Sequence, residues 1–344
     1  MQTSNQLLNN TPMQQGIFDI PRRARRNRWN PAIRGLTCET RLSPEQLIAP
    51  VFVTNMPGKQ AISSMPGVFR HSIESLLKEV EELLQVGVQS INLFCFNEEE
   101  KKDPFGTEAY RKENLLQRSI QAIKNRFPEM LVMADIALDP FTIHGHDGLI
   151  DDFGIVLNDP SLIALGEMSL RAAEAGADLI SPSDMMDGRI GYLRKVLDNA
   201  GFCTVGILSY CVKYTSALYG PFRDALESSP RIGDKKNYQM NPANAREALF
   251  ECKLDEEEGA DLLLIKPAIT SLDIIARLRM QTLLPIGAYQ VSGEYSMIKA
   301  AAQNGWIDGD LMMMESLLAI RRAGADFILT YAAKNVATTL IKHN

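Results

Sequence analysis

Glu258-Gly259-Ala260-Asp261-Leu262-Leu263-Leu264-Ile265-Lys266-Pro267 joins a glycine-ended helix directly to an apolar run that stops on a lysine. Glycine supplies a left-handed helix cap, and the small residue after it lets the chain turn tightly into a strand. The same phrase recurs as Ala175-Gly176-Ala177-Asp178 and Ala323-Gly324-Ala325-Asp326, each closing a helical pattern and opening an apolar run. The spacings are unequal, so these are three helix-to-strand joints and not a solenoid repeat.

Outward from these joints the chain alternates. Strands are expected at 47–54, 90–96, 131–139, 178–183, 204–213, 261–266, 285–291 and 326–331, with amphipathic helices between them. Short apolar strands separated by helices imply a parallel sheet buried on both faces. Eight such units predict closure into a TIM (β/α)8 barrel spanning residues 46–344. An open doubly wound sheet is the rival, but no GxGxxG or GxxxxGK[ST] opens a helix, which disfavours its nucleotide-binding versions. Residues 1–45 lack periodicity and carry Pro12, Pro21 and Pro31, so an extended N-terminal arm is expected.

Composition is that of a globular chain, 45% hydrophobic and 23% charged, with a net charge of -6 that argues against nucleic acid as the main partner. Arg22, Arg23, Arg25, Arg26 and Arg28 form a local basic run better suited to an acidic neighbouring subunit than to RNA or membrane. The five cysteines show no CxxC spacing, which indicates neither a disulfide framework nor a thiolate zinc site. With no long apolar run and a polar first 20 residues, the expectation is a cytoplasmic protein without a membrane span.

Chemistry in such a barrel collects at the C-terminal strand ends. Two adjacent strands end on Lys213 and Lys266, and an amine at the rim of an apolar core loses hydration, which frees its lone pair for attack on a carbonyl. If both point inward, each raises the cost of charging the other. Asp135 and Asp139, four residues apart on a strand and so on one face with Ala137, and Asp147 across a polar loop would together suit a hard cation such as Mg²⁺. Residues 219–241 form a long connection expected to act as a lid, whose Arg223, Lys235 and Lys236 bring cations to a carboxylate substrate. His144-Gly145-His146 lacks metal-ligand spacing and reads as loop histidines orienting backbone.

Several segments together are highly specific: Ser181-Pro182-Ser183-Asp184-Met185-Met186-Asp187-Gly188-Arg189, Lys213-Tyr214, Tyr219-Gly220-Pro221-Phe222-Arg223-Asp224, Tyr238-Gln239-Met240-Asn241-Pro242, Leu264-Ile265-Lys266-Pro267 and Tyr289-Gln290-Val291-Ser292-Gly293-Glu294-Tyr295. On them the chain, from about Arg22 to its C-terminus, resembles the porphobilinogen synthase family, also called 5-aminolevulinate dehydratase. The resemblance implies a lyase that condenses two 5-aminolevulinate molecules through lysine Schiff bases, in a homo-octamer whose arm embraces a neighbour. It further implies that Lys266 and Lys213 each hold one substrate, that Arg223 and Lys235 bind one carboxylate, and that Ser292 and Tyr331 bind the other. Which set serves which lysine stays open at this level. Ser183 and Asp184 correspond to polar groups beside the lysines. Three cysteines of zinc-dependent members are replaced by Ala137, Asp139 and Asp147, which is similar to the aspartate-type branch associated with Mg²⁺. Glu251 matches a carboxylate that binds a remote activating Mg²⁺. A Schiff-base aldolase on the same barrel, or a metal-bound scaffold with an RNA- or membrane-binding arm, is disfavoured by the second lysine and the acidic balance.

Overall fold

The structure, a computed structural model, describes residues 20–342. The chain divides into two compact units, one ending at Arg41 and one beginning at Leu42. In the first unit the described residues bury no apolar side chain. They form a 3-10 turn (Ala24–Arg28) and a short helix, α1 (Pro31–Leu36). Within the stretch expected as an extended arm, Pro31–Leu36 is helical, because Asn30 accepts from the Ile33 backbone N–H at 3.0 Å and Pro31 is preset for the first helical position. Residues 1–19 of the expected arm lie outside the described residues.

The second unit is a closed barrel. Its strands in chain order are β1 (Leu47–Val53), β2 (Lys59–Ala61), β3 (Phe69–His71), β4 (Ser90–Cys95), β5 (Leu131–Ile136), β6 (Leu179–Pro182), β7 (Gly206–Lys213), β8 (Leu262–Lys266), β9 (Ile286–Gln290) and β10 (Phe327–Thr330). Eight of them, β1 and β4 through β10, pair in parallel and in order, and Leu47 opposite Ile328 with Ile48 opposite Leu329 closes the ring. This is the expected TIM (β/α)8 barrel. The antiparallel β2–β3 pair is an addition that extends β1 at its C-terminal end, through Phe52 and Val53.

Helices α2 (Ile73–Gln85), α3 (Leu115–Arg126), α4 (Asn158–Glu174), α5 (Arg189–Asn199), α6 (Gly220–Leu226), α7 (Ala245–Glu257), α8 (Leu272–Arg279), α9 (Ser292–Gln303), α10 (Gly309–Ala323) and α11 (Ala333–Lys342) fill the connections. α2 shows the general pattern. Ser72 caps it by accepting from Ser75 N–H, and Leu76, Val80 and Leu83, spaced at helical intervals, are buried.

The three recurring joints do more than turn the chain. Gly176, Gly259 and Gly324 all have positive φ, as a left-handed cap requires. The aspartate that follows each one accepts from the backbone of the strand before: Asp178 from Val132, Asp261 from Ile207 and Asp326 from Ile286, each at 2.8 Å. The aspartate's own N–H donates to the carbonyl of that same residue. A short sequence phrase therefore pins the lower edge of the barrel at three places and sets the register on which the upper rim depends.

Candidate active site

β7 and β8 lie side by side with Lys213 directly opposite Lys266, beyond an irregularity between Ser209 and Val212. Both amines are buried, at 6% and 4% exposure. Yet their surroundings differ in kind. The Lys213 ammonium donates to Asp147 Oδ2 at 2.7 Å and, in a very short contact, to the Ser183 carbonyl. Lys266 makes no ion pair among the described residues. Its Nζ lies 4.9 Å from the ring centroids of Tyr219, Phe222 and Tyr289 and 5.4 Å from that of Tyr210.

Aromatic faces attract a cation, but burial and the neighbouring Lys213 outweigh them and the aspartates, lowering the Lys266 pKa to about 7. A large fraction of this amine is thus neutral in the physiological range. Asp135 is driven the opposite way by burial and by Asp139, up to about 7, against a hydrogen bond from Ser183 and the two lysines.

One cavity at the rim is lined by both lysines, Asp135, Asp139, Asp147 and Ser183 from the barrel, and by Tyr219, Phe222, Arg223, Lys235 and Gln239 from the 219–241 connection. That connection covers the strand ends. It begins with α6, where Pro221 sits at the start of the helix, and it returns by pairing Tyr214 with Met240. Lys235 and Lys236 separate here: Lys235 turns inward and is buried, whereas Lys236 stays exposed beside Asp234. His146 fastens the connection through Ile232 O at 2.7 Å and the Tyr238 hydroxyl at 3.2 Å, which agrees with loop histidines that orient backbone. Gly145 has φ +71 and a Cβ there would meet Ser229 O at 2.5 Å, so this contact needs glycine.

The carboxylates do not arrange themselves as the sequence suggested. β5 stops at Ile136, since Pro140 follows and Leu138 N–H is diverted to Asp147 O, so Asp139 lies in a turn and not on the strand face with Asp135. Asp147 bridges two ammoniums, Lys213 and, at 2.5 Å, Lys235, and Lys235 also reaches Asp139 at 3.4 Å. Burial alone would raise the Asp147 carboxyl, but the two lysines hold it far below the usual carboxylate range. Among the described residues no group of three or more His, Cys, Asp and Glu is arranged to hold a metal ion. Two of the three aspartates face Lys235, whose charge stands where a cation would compete, so this donor set does not fit a resident metal.

Of the other expected site residues only Ser183 lines this cavity; Ser292 and Tyr331 adjoin the ring cage without lining it. The Ser292 hydroxyl, at the start of α9, accepts from Phe222 N–H at 3.0 Å and faces Leu218 O at 3.2 Å. Tyr331, just past β10, shares a 2.8 Å hydroxyl contact with Tyr289, one of the four rings around Lys266. Ser183 lines the cavity. Asp184 does not; its Oδ1 holds the turn by accepting from Met186 N–H, and burial raises its carboxyl to about 6. Glu251 lies on α7, half-buried, with burial and the charges of Asp255, Asp187 and Glu247 raising its pKa against Arg189. It does not line the cavity. Sequence reasoning did not single out the ring cage of Tyr210, Tyr219, Phe222 and Tyr289, although Tyr219 and Phe222 precede Arg223 in the segment that drew attention to it.

A closed parallel barrel with two buried, adjacent lysines in one covered rim cavity, lined also by Arg223 and Lys235, defines the class: a (β/α)8 protein with paired amines at its strand ends. The family model described as delta-aminolevulinic acid dehydratase matches residues 21–339, and the chain belongs to that family. It is 53% identical over 317 residues to the delta-aminolevulinic acid dehydratase of Chlamydia pneumoniae, covering 91% of this chain and 95% of that one. It is 49% identical over 319 residues to that of Bacillus subtilis, covering 92% and 98%. The crystal structure of the Toxoplasma gondii enzyme in complex with the reaction product porphobilinogen superposes with a TM-score of 0.93 at 45% identity, over 94% of this chain and 93% of that one.

Proposed function

We propose that this protein is a porphobilinogen synthase, a hydro-lyase that joins two molecules of 5-aminolevulinate into porphobilinogen with loss of two waters, as a step of tetrapyrrole synthesis. The observation that carries this reading is the pairing of Lys213 and Lys266 in one closed cavity, one ammonium ion-paired and the other ring-enclosed with its pKa near 7.

Each lysine forms an imine with the ketone of one substrate, Lys213 only after its ammonium, held on Asp147, has given up a proton to water or to the arriving substrate's amine. The lone pair of the neutral Lys266 amine attacks the carbonyl carbon, and the carbinolamine then loses its oxygen as water. Asp135, with a pKa near the working pH, is suited to deliver that proton and to accept one later. Holding both substrates on adjacent strand ends makes C–C and C–N bond formation a local event. Lys235 and Lys213 share Asp147, which supports assigning Arg223 and Lys235 to the carboxylate of the Lys213-bound substrate. Tyr331 reaches the Lys266 cage through Tyr289, and Ser292 anchors Phe222 of that cage, which supports assigning Ser292 and Tyr331 to the other carboxylate.

Mg²⁺ is the metal we assign, at Glu251 and not among the three aspartates. A single carboxylate with waters is acceptable to Mg²⁺, and Asp187, Glu247 and Asp255 make the surroundings of Glu251 negative. No residue of the reaction sequence above acts through it. No helix among the described residues is long and apolar enough to cross a membrane, and we assign the protein to the cytoplasm. A homo-octamer assembled through the basic arm accounts for the five arginines from Arg22 to Arg28. The test of the activity is direct: purified protein given 5-aminolevulinate should release porphobilinogen, detected as a pyrrole by an aromatic aldehyde reagent. An enzyme that consumes none of the substrate would refute the assignment.

A further inference from the structure

The chain after Lys266 and the start of α9 are tied together by one side chain that does not line the active-site cavity. Glu294 is 1% exposed and forms no ion pair among the described residues. Its Oε1 accepts from Ile269 N–H and its Oε2 from Val291 N–H, both at 2.6 Å. The first bond holds the turn that leaves β8 immediately after Lys266. The second fixes the residue before Ser292. The backbone N–H groups of Ala268 and Thr270 also favour the carboxylate, but burial outweighs these main-chain donors and raises the Glu294 pKa to about 7.

From there the constraint spreads to the lid. Ser292 accepts from Phe222 N–H, and Gly293 packs so tightly on Leu218 that an added Cβ would lie 2.5 Å from its carbonyl oxygen. Phe222 is one of the rings 4.9 Å from the Lys266 amine. Burying an unpaired carboxylate is costly, and an apolar residue or glutamine would fill the volume with less penalty. Glutamine, however, has only one acceptor oxygen. Its amide nitrogen would face the N–H of Val291 or Ile269, donor against donor.

We propose that Glu294 is the positioning residue of the site: its two carboxylate oxygens set the Lys266 turn and the Ser292 helix start against each other, and so aim the Lys266 amine at the substrate whose carboxylate Ser292 meets. This rests on the reaction assigned above.

The test uses the full-length Glu294→Gln variant, nearly isosteric, beside Glu294→Asp, which keeps the charge but is too short to span both donors. With 5-aminolevulinate and borohydride, peptide mapping should show trapping at Lys266 reduced about 10- to 100-fold in both variants, the scale expected for one lost charge-assisted hydrogen bond, with Lys213 trapping within twofold of the parent. Limiting acetic anhydride, mapped on the same peptides, reads the two amines without any substrate. Lys266 labelling relative to Lys213 should change at least threefold. Unchanged trapping and labelling at Lys266 would overturn the proposal. So would a parallel fall at both lysines accompanied by a lowered melting temperature, because that is what general structural damage produces. If the parent protein traps no 5-aminolevulinate at either lysine, the assigned reaction fails, and the labelling ratio alone then decides the role of Glu294.

Discussion

Replacing Asp147 with asparagine removes the one carboxylate among the described residues that touches both Lys213 and Lys235, while keeping nearly the same shape. All three groups are buried, so the variant leaves two ammoniums without their common counter-ion in a low-dielectric site. Breaking a buried pair in this way costs about 3–5 kcal/mol. Spread over 344 residues at about 2 cal/mol/K each, that corresponds to a melting temperature lowered by roughly 4–7 °C. The sign of the pH dependence follows from the depressed carboxyl of Asp147. Its stabilising effect is complete above the unfolded carboxylate pKa of about 4 and is lost as pH falls toward the folded value. The gap between parent and Asp147→Asn should therefore be constant from pH 6 to 8 and narrow below about pH 4. Calorimetry across that range is the assay. Adding Lys235→Met to Asp147→Asn removes one surplus cation and should recover part of the loss, because the two sites are coupled. A melting temperature lowered by less than about 1.5 °C, or a gap that does not narrow in acid, would refute the claim that Asp147 binds both lysines.

Other outcomes follow from the same geometry. The rate of imine formation at Lys266 should rise about tenfold per pH unit below pH 7 and level off above it, because its amine is neutral above about 7; a flat profile between pH 5 and 7 in stopped-flow single turnovers would contradict this. Gly293→Ala places a methyl 2.5 Å from the Leu218 carbonyl and should displace the lid base, raising KM for 5-aminolevulinate about tenfold with smaller loss of stability, as read by steady-state kinetics and melting. Dialysis against a strong chelator should lower activity and Mg²⁺ should restore it, with Glu251→Ala insensitive to added Mg²⁺; rescue by Zn²⁺ alone would overturn the metal assignment.

The barrel was legible because parallel strands buried on both faces leave uninterrupted apolar runs, and β7 and β8 even display their functional ends as lysines that break those runs. The glycine-aspartate joints were legible for a related reason: a positive φ and a tight turn each demand a particular residue type. β2 and β3 were not, since three-residue strands carry no measurable period. α6 was hidden by its own start, Gly220-Pro221, which reads as a break although proline is well suited to the first turn of a helix. The aspartates illustrate a deeper limit. Spacing placed Asp139 on the strand face with Asp135, whereas it lies in the turn beyond β5, and whether a carboxylate there meets a metal or an ammonium depends on the path of the 219–241 connection, where neighbouring Lys235 and Lys236 look alike until one of them is turned inward. Glu294 was equally silent, because its partners are backbone N–H groups that every sequence possesses.

The claim at the centre of this account is that both lysines hold substrate. Borohydride reduction in the presence of 5-aminolevulinate, followed by peptide mass mapping, tests it most directly. The structure predicts reduced adducts on Lys266 and on Lys213 and on no other lysine; adducts absent from both, or found mainly elsewhere, would contradict it.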